Sequence, residues 1–572
     1  MDNPNENVQS PSTSPISRLH ADILWLIFLR NTDVQGLLTS FGNIFRRRST
    51  EDHDTALDTT LISARVCQHW RSLLLNWPVL WGRVLLLNRL HRLGKKGREE
   101  IMRRTGTAPL YLIGDVTYAP QFVDEFVAPL LKANWERVQK IHIRADKPVI
   151  HRESIWNTFT RNAPMLEWFL FESAARPQHR AIPEDLVVDL FGDFAPQLRI
   201  FRCDTITSTL PGGHWYNNLQ EFHLTSTDLQ LSSVLDIIKQ IPLLEYLHLE
   251  NLPGEDDVAS AGSDSIDLPR LVGLSLDIPF LWALVFARRI KPANNCTLSF
   301  RPILIDSLKQ QHIAEMMEIL ERYADAYFPF CNVFSVEITI TKGEFSFSVS
   351  DAEHISSRGR VQHDLSIQQF NFAIHLNFPM SAVYDSDIDC SSFLVPFLRH
   401  DLSNIQTLDL EIAQLNADSW DNIRPIIVSL KGVKTLRIGT SISTLKVLEK
   451  YHVDETQTLF PTLRNLHVEA DDWELKSYEF EPIFSSFISR GRRANTSFLE
   501  VLDLGSSPKG DWSFLDDVGE LKVVWSGYMD FEYICGSGSP WELTFSDSEI
   551  EDDSMEELAA AIGFPIRRQR RW

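Results

Sequence analysis

The sequence predicts an α/β chain: a small helical module, then a long irregular array of short strands returned by helices or loops. Three observations carry this. Two segments near the start place apolar residues at helical spacing. Beyond about residue 130 one short apolar beat recurs, at intervals of 21 to 36 residues within each of two runs. The chain has 572 residues, 44% of them hydrophobic and 23% charged, which is more than one compact core serves yet has the composition of a folded protein.

The elements follow in chain order. Residues 1–15 are rich in Asn, Ser and Pro and read as a disordered tail. They lack the basic start and apolar run of a secretory signal. A helix is expected at about 16–30, where Leu19, Ile23, Leu24, Ile27 and Phe28 gather on one face. Residues 31–60 are polar, with Arg46-Arg47-Arg48 followed by Glu51, Asp52 and Asp54, and read as an inserted loop. A second helix is expected from about Leu61 to Trp77, with Val66, Trp70, Leu73 and Leu74 at helical spacing. Pro78 is expected to stop it, since proline has no amide hydrogen and clashes with the preceding turn. Leu80 and Trp81 follow the break, and the module spans 16–84.

Residues 85–130 read as a linker helix and a first strand. The basic run Arg89, Arg92, Lys95, Lys96, Arg98, Arg103 and Arg104 is interleaved with Glu99 and Glu100 and has no aromatic residue to stack on bases. It reads as a solvated helix face rather than an anion site.

The array is expected over 131–540. Its beat is an apolar residue, two of any kind, an apolar residue, one of any kind, and an apolar residue. The first run is Val138-Ile141-Ile143, Leu166-Phe169-Phe171, Leu198-Phe201-Cys203, Leu219-Phe222-Leu224, Leu244-Leu247-Leu249 and Leu271-Leu274-Leu276. The second is Ile405-Leu408-Leu410, Val433-Leu436-Ile438, Leu463-Leu466-Val468 and Leu499-Leu502-Leu504, with Val333-Val336-Ile338 a further copy between the runs. The alternating end of each beat fits a short strand with one buried face, and one such unit cannot bury that face alone, so neighbours stack as a solenoid. An ordinary α/β domain with a parallel sheet is the competing arrangement. Residues 277–400 fit the beat poorly, although 345–350 and 370–378 alternate like strands. From 541 to 572 an acidic block precedes Arg567-Arg568-Gln569-Arg570-Arg571, a charge pattern typical of disordered tails.

Function classes narrow from composition. A net charge of −22 argues against nucleic acid or an anionic membrane as partner. The longest apolar run, Ile278 to Ala287, is about half of the ~20 residues of a membrane span. The six cysteines lie far apart without a C-x-x-C pair, which fits reduced thiols in the cytoplasm or nucleus and no zinc site. There is no phosphate-binding glycine loop, nucleophile elbow or H-E-x-x-H signature. His312 and Glu315 share a helical stretch, but one such pair does not define a metal site. No enzyme, cofactor or metal is therefore expected, with a hydrolase or transferase hidden in 277–400 as the opposing possibility.

Two runs carry a resemblance. Ile16 to Phe28 (ISRLHADILWLIF) resembles the first helix of the F-box, through Leu19, Ile23, Leu24, Ile27 and Phe28. Val66 to Trp81 (VCQHWRSLLLNWPVLW) resembles its second half, through Val66, Cys67, Trp70, Arg71, Pro78, Leu80 and Trp81. His20 and Asp22 stand where that pattern has Pro and Glu, and the insert between the halves is long. The chain is similar in this respect to fungal F-box-like proteins that carry degenerate leucine-rich repeats. Thr107 to Leu110 also resembles the strand that follows in that family. The resemblance implies a Skp-type adaptor as partner and through it a cullin, and an unidentified protein substrate held by a leucine-rich-repeat-like array. The partner-binding set would be Leu19, Ile23, Leu24, Ile27, Phe28, Val66, Cys67, Trp70, Leu74, Pro78, Leu80 and Trp81. Among these Leu19, Ile23, Leu24 and Ile27 are expected to face the partner, and Trp70 and Trp81 to be internal. Without ubiquitin, the same architecture would be a protein-interaction scaffold whose N-terminal helices cap the repeats.

Overall fold

The computed structural model describes residues 19–32, 55–146, 149, 152–173, 189–204, 213–225, 229–252, 264–302, 310–341, 344–350, 372–377, 390–413, 417–438, 443–451, 459–468, 480–482, 484, 499–506, 508, 510–526 and 530–545. The expected tails at 1–15 and 541–572 lie outside these except for 541–545, which are ordered: a helical turn, Pro540–Leu543, leads into a short strand, Thr544–Phe545, that pairs with Gly510–Asp511. The protein is mixed α/β and divides into two compact units, Met1–Leu304 with Ser356–Phe370 and Ile305–Ile355 with Asn371–Trp572.

The first unit opens with helices α1 (Ala21–Asn31), α2 (Thr55–Val66), α3 (Gln68–Leu75) and α4 (Pro78–Arg83). Then come β1 (Leu85–Leu86), α5 (Leu87–Arg92) and α6 (Lys95–Thr105). The helical expectation needs three corrections. Helix α2 begins at Thr55, inside the stretch read as a loop. The single helix expected over 61–77 is two, broken at Cys67, whose extended backbone lets its sulfur cap α3. Pro78 starts α4 instead of ending a helix, because the first helical position needs no amide donor.

The strands that follow are β2 (Leu110–Asp115), β3 (Val138–Ala145), β4 (Trp168–Ser173), β5 (Ile200–Cys203), β6 (Glu221–Thr225) and β7 (Tyr246–Glu250). After them come β8 (Ile266–Asp267), β9 (Gly273–Asp277), β10 (Ile290–Lys291) and β11 (Thr297–Phe300). β8 and β10 form a two-stranded side pair. All the others are parallel and hydrogen-bond in chain order from β1 to β11.

The register explains the beat. Its second residues form one row across the strands, Leu112, Ile141, Phe169, Phe201, Phe222, Leu247, Leu274 and Leu298. Its third residues form the next row, from Ile143 through Phe171, Cys203, Leu224, Leu249 and Leu276 to Phe300. Both rows are buried. Side chains on adjacent strands sit one strand spacing apart, so the rings of Phe169, Phe201 and Phe222 stack at centroid distances of 5.6 and 5.8 Å. In this unit the first residue of each beat is also buried. The amides beside it continue the ladder, for example Arg199 N–H to the Glu167 carbonyl and Glu245 N–H to that of Gln220.

The second unit repeats this logic. Its strands are β12 (Ser335–Ile340), β13 (Glu344–Ser350), β14 (Phe372–Asn377), β15 (Thr407–Ile412), β16 (Thr435–Ile438), β17 (Asn465–Val468), β18 (Val501–Ser506), β19 (Gly510–Asp511), β20 (Lys522–Ser526), β21 (Asp530–Ile534) and β22 (Thr544–Phe545). β12, β15, β16, β17, β18 and β20 pair in parallel, aligning Val336, Leu408, Leu436, Leu466, Leu502 and Val523. β13 and β14 add antiparallel to β12, and β21 antiparallel to β20. The poorly patterned stretch 277–400 thus holds two hairpin strands where alternation predicts them, together with the helix Gln310–Tyr327.

Candidate partner-docking surface

Helix α1 is capped by His20, whose Nδ1 accepts the Asp22 amide at 3.3 Å. Thr32 ends the helix, its amide and hydroxyl both donating to the Leu29 carbonyl. One side of α1 presents Leu24 and Phe28, which form a core with Leu74 of α3 and Leu80 of α4; Ala64, Trp70, Leu73 and Trp77 pack around it. Phe28 meets Trp70 edge-on at 5.0 Å, and Trp25 meets Trp77 edge-on at 6.1 Å.

The breaks between these helices are held by side chains. Cys67 Sγ accepts the Trp70 amide at 3.4 Å. Arg71 Nε donates to the Ala64 carbonyl at 2.9 Å and ties α3 back to α2. Trp81 is fully buried, its indole N–H donating to the Leu74 carbonyl at 2.8 Å while the Arg104 guanidinium lies over its ring at 4.7 Å. Arg89 pairs with Asp58 at 2.7 Å and fixes α2 to α5.

The twelve residues singled out by sequence therefore separate. Leu24, Phe28, Leu74, Leu80 and Trp81 are interior, and Trp70 is half-buried against them. Leu19, Ile23, Ile27, Val66, Cys67 and Pro78 are exposed. Leu24 corrects the expectation. It is 1% exposed where its neighbour Ile23 is 46% exposed, because one residue turns the helix by about 100° and only one of two adjacent side chains can face the core. The exposed apolar surface also takes in Leu26, Ile62, Leu75 and Val79, which sequence reading missed. Leu26 lies one turn from Ile23, a signal present but unused. Ile62 and Val66 lie a turn apart on α2, whose beginning was taken for loop.

The other face of the first unit's sheet is polar. Between the buried rows project His142, Leu170, Arg202, His223, His248, Ser275 and Ser299 in one line, polar but for the leucine, with Arg144, Glu172, Thr225, Glu250 and Asp277 in the next. Glu172 Oε1 lies 3.3 Å from His142 Nε2 and 3.5 Å from Arg202 Nε, which also lies 3.7 Å from Asp204 Oδ1. Burial pushes the Glu172 carboxyl up, but Arg202 and His142 more than offset this and hold it at about 2. Burial pulls the Arg202 guanidinium down, and Glu172, Asp204 and Glu250 together keep it above its ordinary value. His223 is held well below the usual histidine range by burial and by His248 and Arg202 beside it.

Among the described residues no group of three His, Cys, Asp or Glu is placed to hold a metal ion, and no helix is long and apolar enough to cross a membrane. No protein-family model matches the chain, and no curated protein matches it in sequence.

Proposed function

We propose that this chain is the substrate-recognition adaptor of a Skp–cullin–F-box type ubiquitin ligase. Its helical module would hold the Skp-type adaptor, and through it a cullin. Its strand array, read as an irregular leucine-rich-repeat-like solenoid, would hold a protein substrate. The observation that carries this reading is the exposed apolar face of α1 and α2. Leu19, Ile23, Leu26, Ile27, Ile62 and Val66 stay in solvent although Leu24 and Phe28 on the same helix already fill the core. Such a surface suits a helix-in-groove contact. Strands that pair in chain order support the array reading, since each repeat then contacts only its neighbours. The work done would be proximity, raising the effective concentration of a substrate lysine near a charged conjugating enzyme, with no catalytic residue of the chain's own.

The test is a pull-down of purified Skp adaptor by the whole chain, wild type against Ile23→Asp/Ile27→Asp. Capture by wild type and loss in a variant with unchanged circular dichroism is the expected result. Failure of folded wild type to bind would reduce the chain to a scaffold without a link to ubiquitin.

A further inference from the structure

The parallel ladder of the second unit ends on the antiparallel strand β21, which pairs with β20 through Lys522–Ile534, Val523–Tyr533, Val524–Glu532 and Trp525–Phe531. Among the described residues no further strand adds to its outer side. Two hydrogen bonds fix which backbone groups face out. Lys522 N–H donates to the Glu500 carbonyl, on the β18 side, and Cys535 N–H donates to the Leu521 carbonyl, on the β21 side. Successive residues of a strand turn these groups to opposite sides. Val523 and Trp525 therefore bond Tyr533 and Phe531, while Glu532 and Ile534 turn their amides and carbonyls away from the sheet. The Ile534 carbonyl accepts the Ser537 amide at 3.3 Å. The amide and carbonyl of Glu532 and the amide of Ile534 are left as an open edge.

The side chains make the same edge a place to dock. Phe531 is 44% and Ile534 58% exposed, and alternation sends them to opposite faces of β21. The Phe531 ring stacks on Trp525 at 5.7 Å, and Phe545 meets Trp525 edge-on at 5.2 Å, so the aromatic face is held in place. The surrounding charge is of one sign. Asp511, Asp517, Glu520, Glu532 and Glu542 are exposed in the segment that closes the sheet. The only basic side chain among the described residues from 510 to 545 is Lys522, which is paired with Glu532.

We propose that β21 is a strand-addition site for a basic, extended segment of a protein partner. The open amides and carbonyl bond the incoming backbone. Its lysines or arginines lie beside Glu532, and its alternate, apolar residues lie on the other face beside Phe531. Charge complementarity selects this occupant. A second copy of β21 pairing antiparallel about Glu532 would set that carboxylate against its own counterpart, and like charges directly opposite destabilise a strand pair. An acidic segment would meet the same repulsion. A charged residue in the middle of an edge is also a guard against indiscriminate pairing, so the edge admits a strand only of matching charge. The site goes beyond the adaptor reading and stands whatever the helical module binds.

The experiment is fluorescence anisotropy of the whole chain with labelled short peptides that alternate lysine and valine, and with their glutamate-for-lysine counterparts. Two further lysine peptides carry backbone N-methyl groups, one at every lysine and one at every valine. An added strand turns only every second amide to the edge, so one methylated peptide should lose binding and the other keep it. The loss falls on the lysines for an antiparallel segment and on the valines for a parallel one. Glu532→Lys should weaken the lysine peptide by about tenfold and strengthen the glutamate peptide. Ile534→Pro removes an outward amide that bonds nothing in β20 and should also weaken the lysine peptide, whereas Ile534→Thr keeps that amide and should weaken it less. Circular dichroism of each variant must match wild type, and the methylated peptides test the wild-type chain whether or not a variant folds. Equal loss with both methylated peptides, or with neither, overturns the proposal, as does equal binding of lysine and glutamate peptides. A dimer in sedimentation that Ile534→Pro disperses would give the edge to a second copy. Binding that appears only after Arg567, Arg568, Arg570 and Arg571 are changed to Gln would give it to the chain's own tail. Either result overturns the proposal, while failure of the Skp pull-down leaves it standing.

Discussion

Asp277→Asn should stabilise the first unit, which is unusual for a substitution on a half-buried strand. The magnitude follows from the position of the carboxyl. It is pushed from 3.8 to about 6 by burial and by Glu250. Each unit of such displacement corresponds to about 1.4 kcal/mol, so ionisation at neutral pH costs the folded state up to about 3 kcal/mol. The carboxyl is partly open to water, and screening lowers this to about 1–3 kcal/mol. The sign is fixed by proton uptake. Between the unfolded value near 4 and the folded value near 6, the native state binds more protons than the unfolded one. Stability therefore falls as pH rises through that window and stays reduced above it. Asparagine has nothing to ionise, so its gain should be full at pH 7.5 and mostly gone at pH 4.5. Because the chain has two compact units, one melting temperature does not report either of them alone. The assay is hydrogen exchange of peptides covering Tyr246–Glu250 and Gly273–Asp277, compared between wild type and variant at each pH. Equal or lower protection in the variant at pH 7.5, or a gain of the same size at pH 4.5, would refute the reasoning.

Two further outcomes are expected. Leu24→Ala should cost about 2–5 kcal/mol in denaturant unfolding by opening a cavity among Phe28, Leu74 and Leu80, whereas Ile23→Ala should stay within about 0.5 kcal/mol. A Cβ added at Gly432 would overlap the Ser403 carbonyl oxygen and crowd that of Ile405, both backbone atoms, so Gly432→Ala should lower the urea midpoint of the second unit. Gly94→Ala in the first unit, where a Cβ meets nothing within 4 Å, should leave both midpoints unchanged.

The strands were legible because their signal is local. All eleven copies of the beat fall on strands, since alternation within four or five residues suffices to bury one face. The strands it missed lack the opening apolar residue. β11 would need it at Asn295 and β20 at Glu520, and both residues adopt a positive φ in the turn before their strand. The helical module was less legible. The apolar spacing of Val66, Trp70, Leu73 and Leu74 runs on past the break at Cys67, so periodicity alone cannot show that two helices share it. The choice between Leu24 and Ile23 as the outward residue was not legible either, because α1 is apolar on more than half its circumference and the positions of α3 and α4 decide which part is covered. The polar row His142–Arg202–His223–His248 is a product of register. With Leu170 between His142 and Arg202, successive members of the row lie 21 to 32 residues apart in sequence and meet only when the buried rows align.

That dependence gives the polar row its meaning. The apolar rows bury one face of the sheet, and the polar residues opposite them, His142, His223, His248 and Ser275, are themselves nearly enclosed. Ser275 and Ser299 lie at the edge of the same line. Burial and a like charge make Asp277 a liability to folding, and among the described residues His223 leaves two polar atoms without a hydrogen-bond partner. The exposed leucines and isoleucines of α1 are a liability of another kind, since an open apolar surface invites aggregation. Folding explains Leu24, Phe169 and Trp81, whose removal would open the core. It does not explain Ile23 or Asp277, whose replacement by polar or neutral residues would leave the core intact. Features that stability does not require are where binding should be sought. The exposed apolar face of the helices, with Ile23 46% and Leu26 57% exposed, is such a feature.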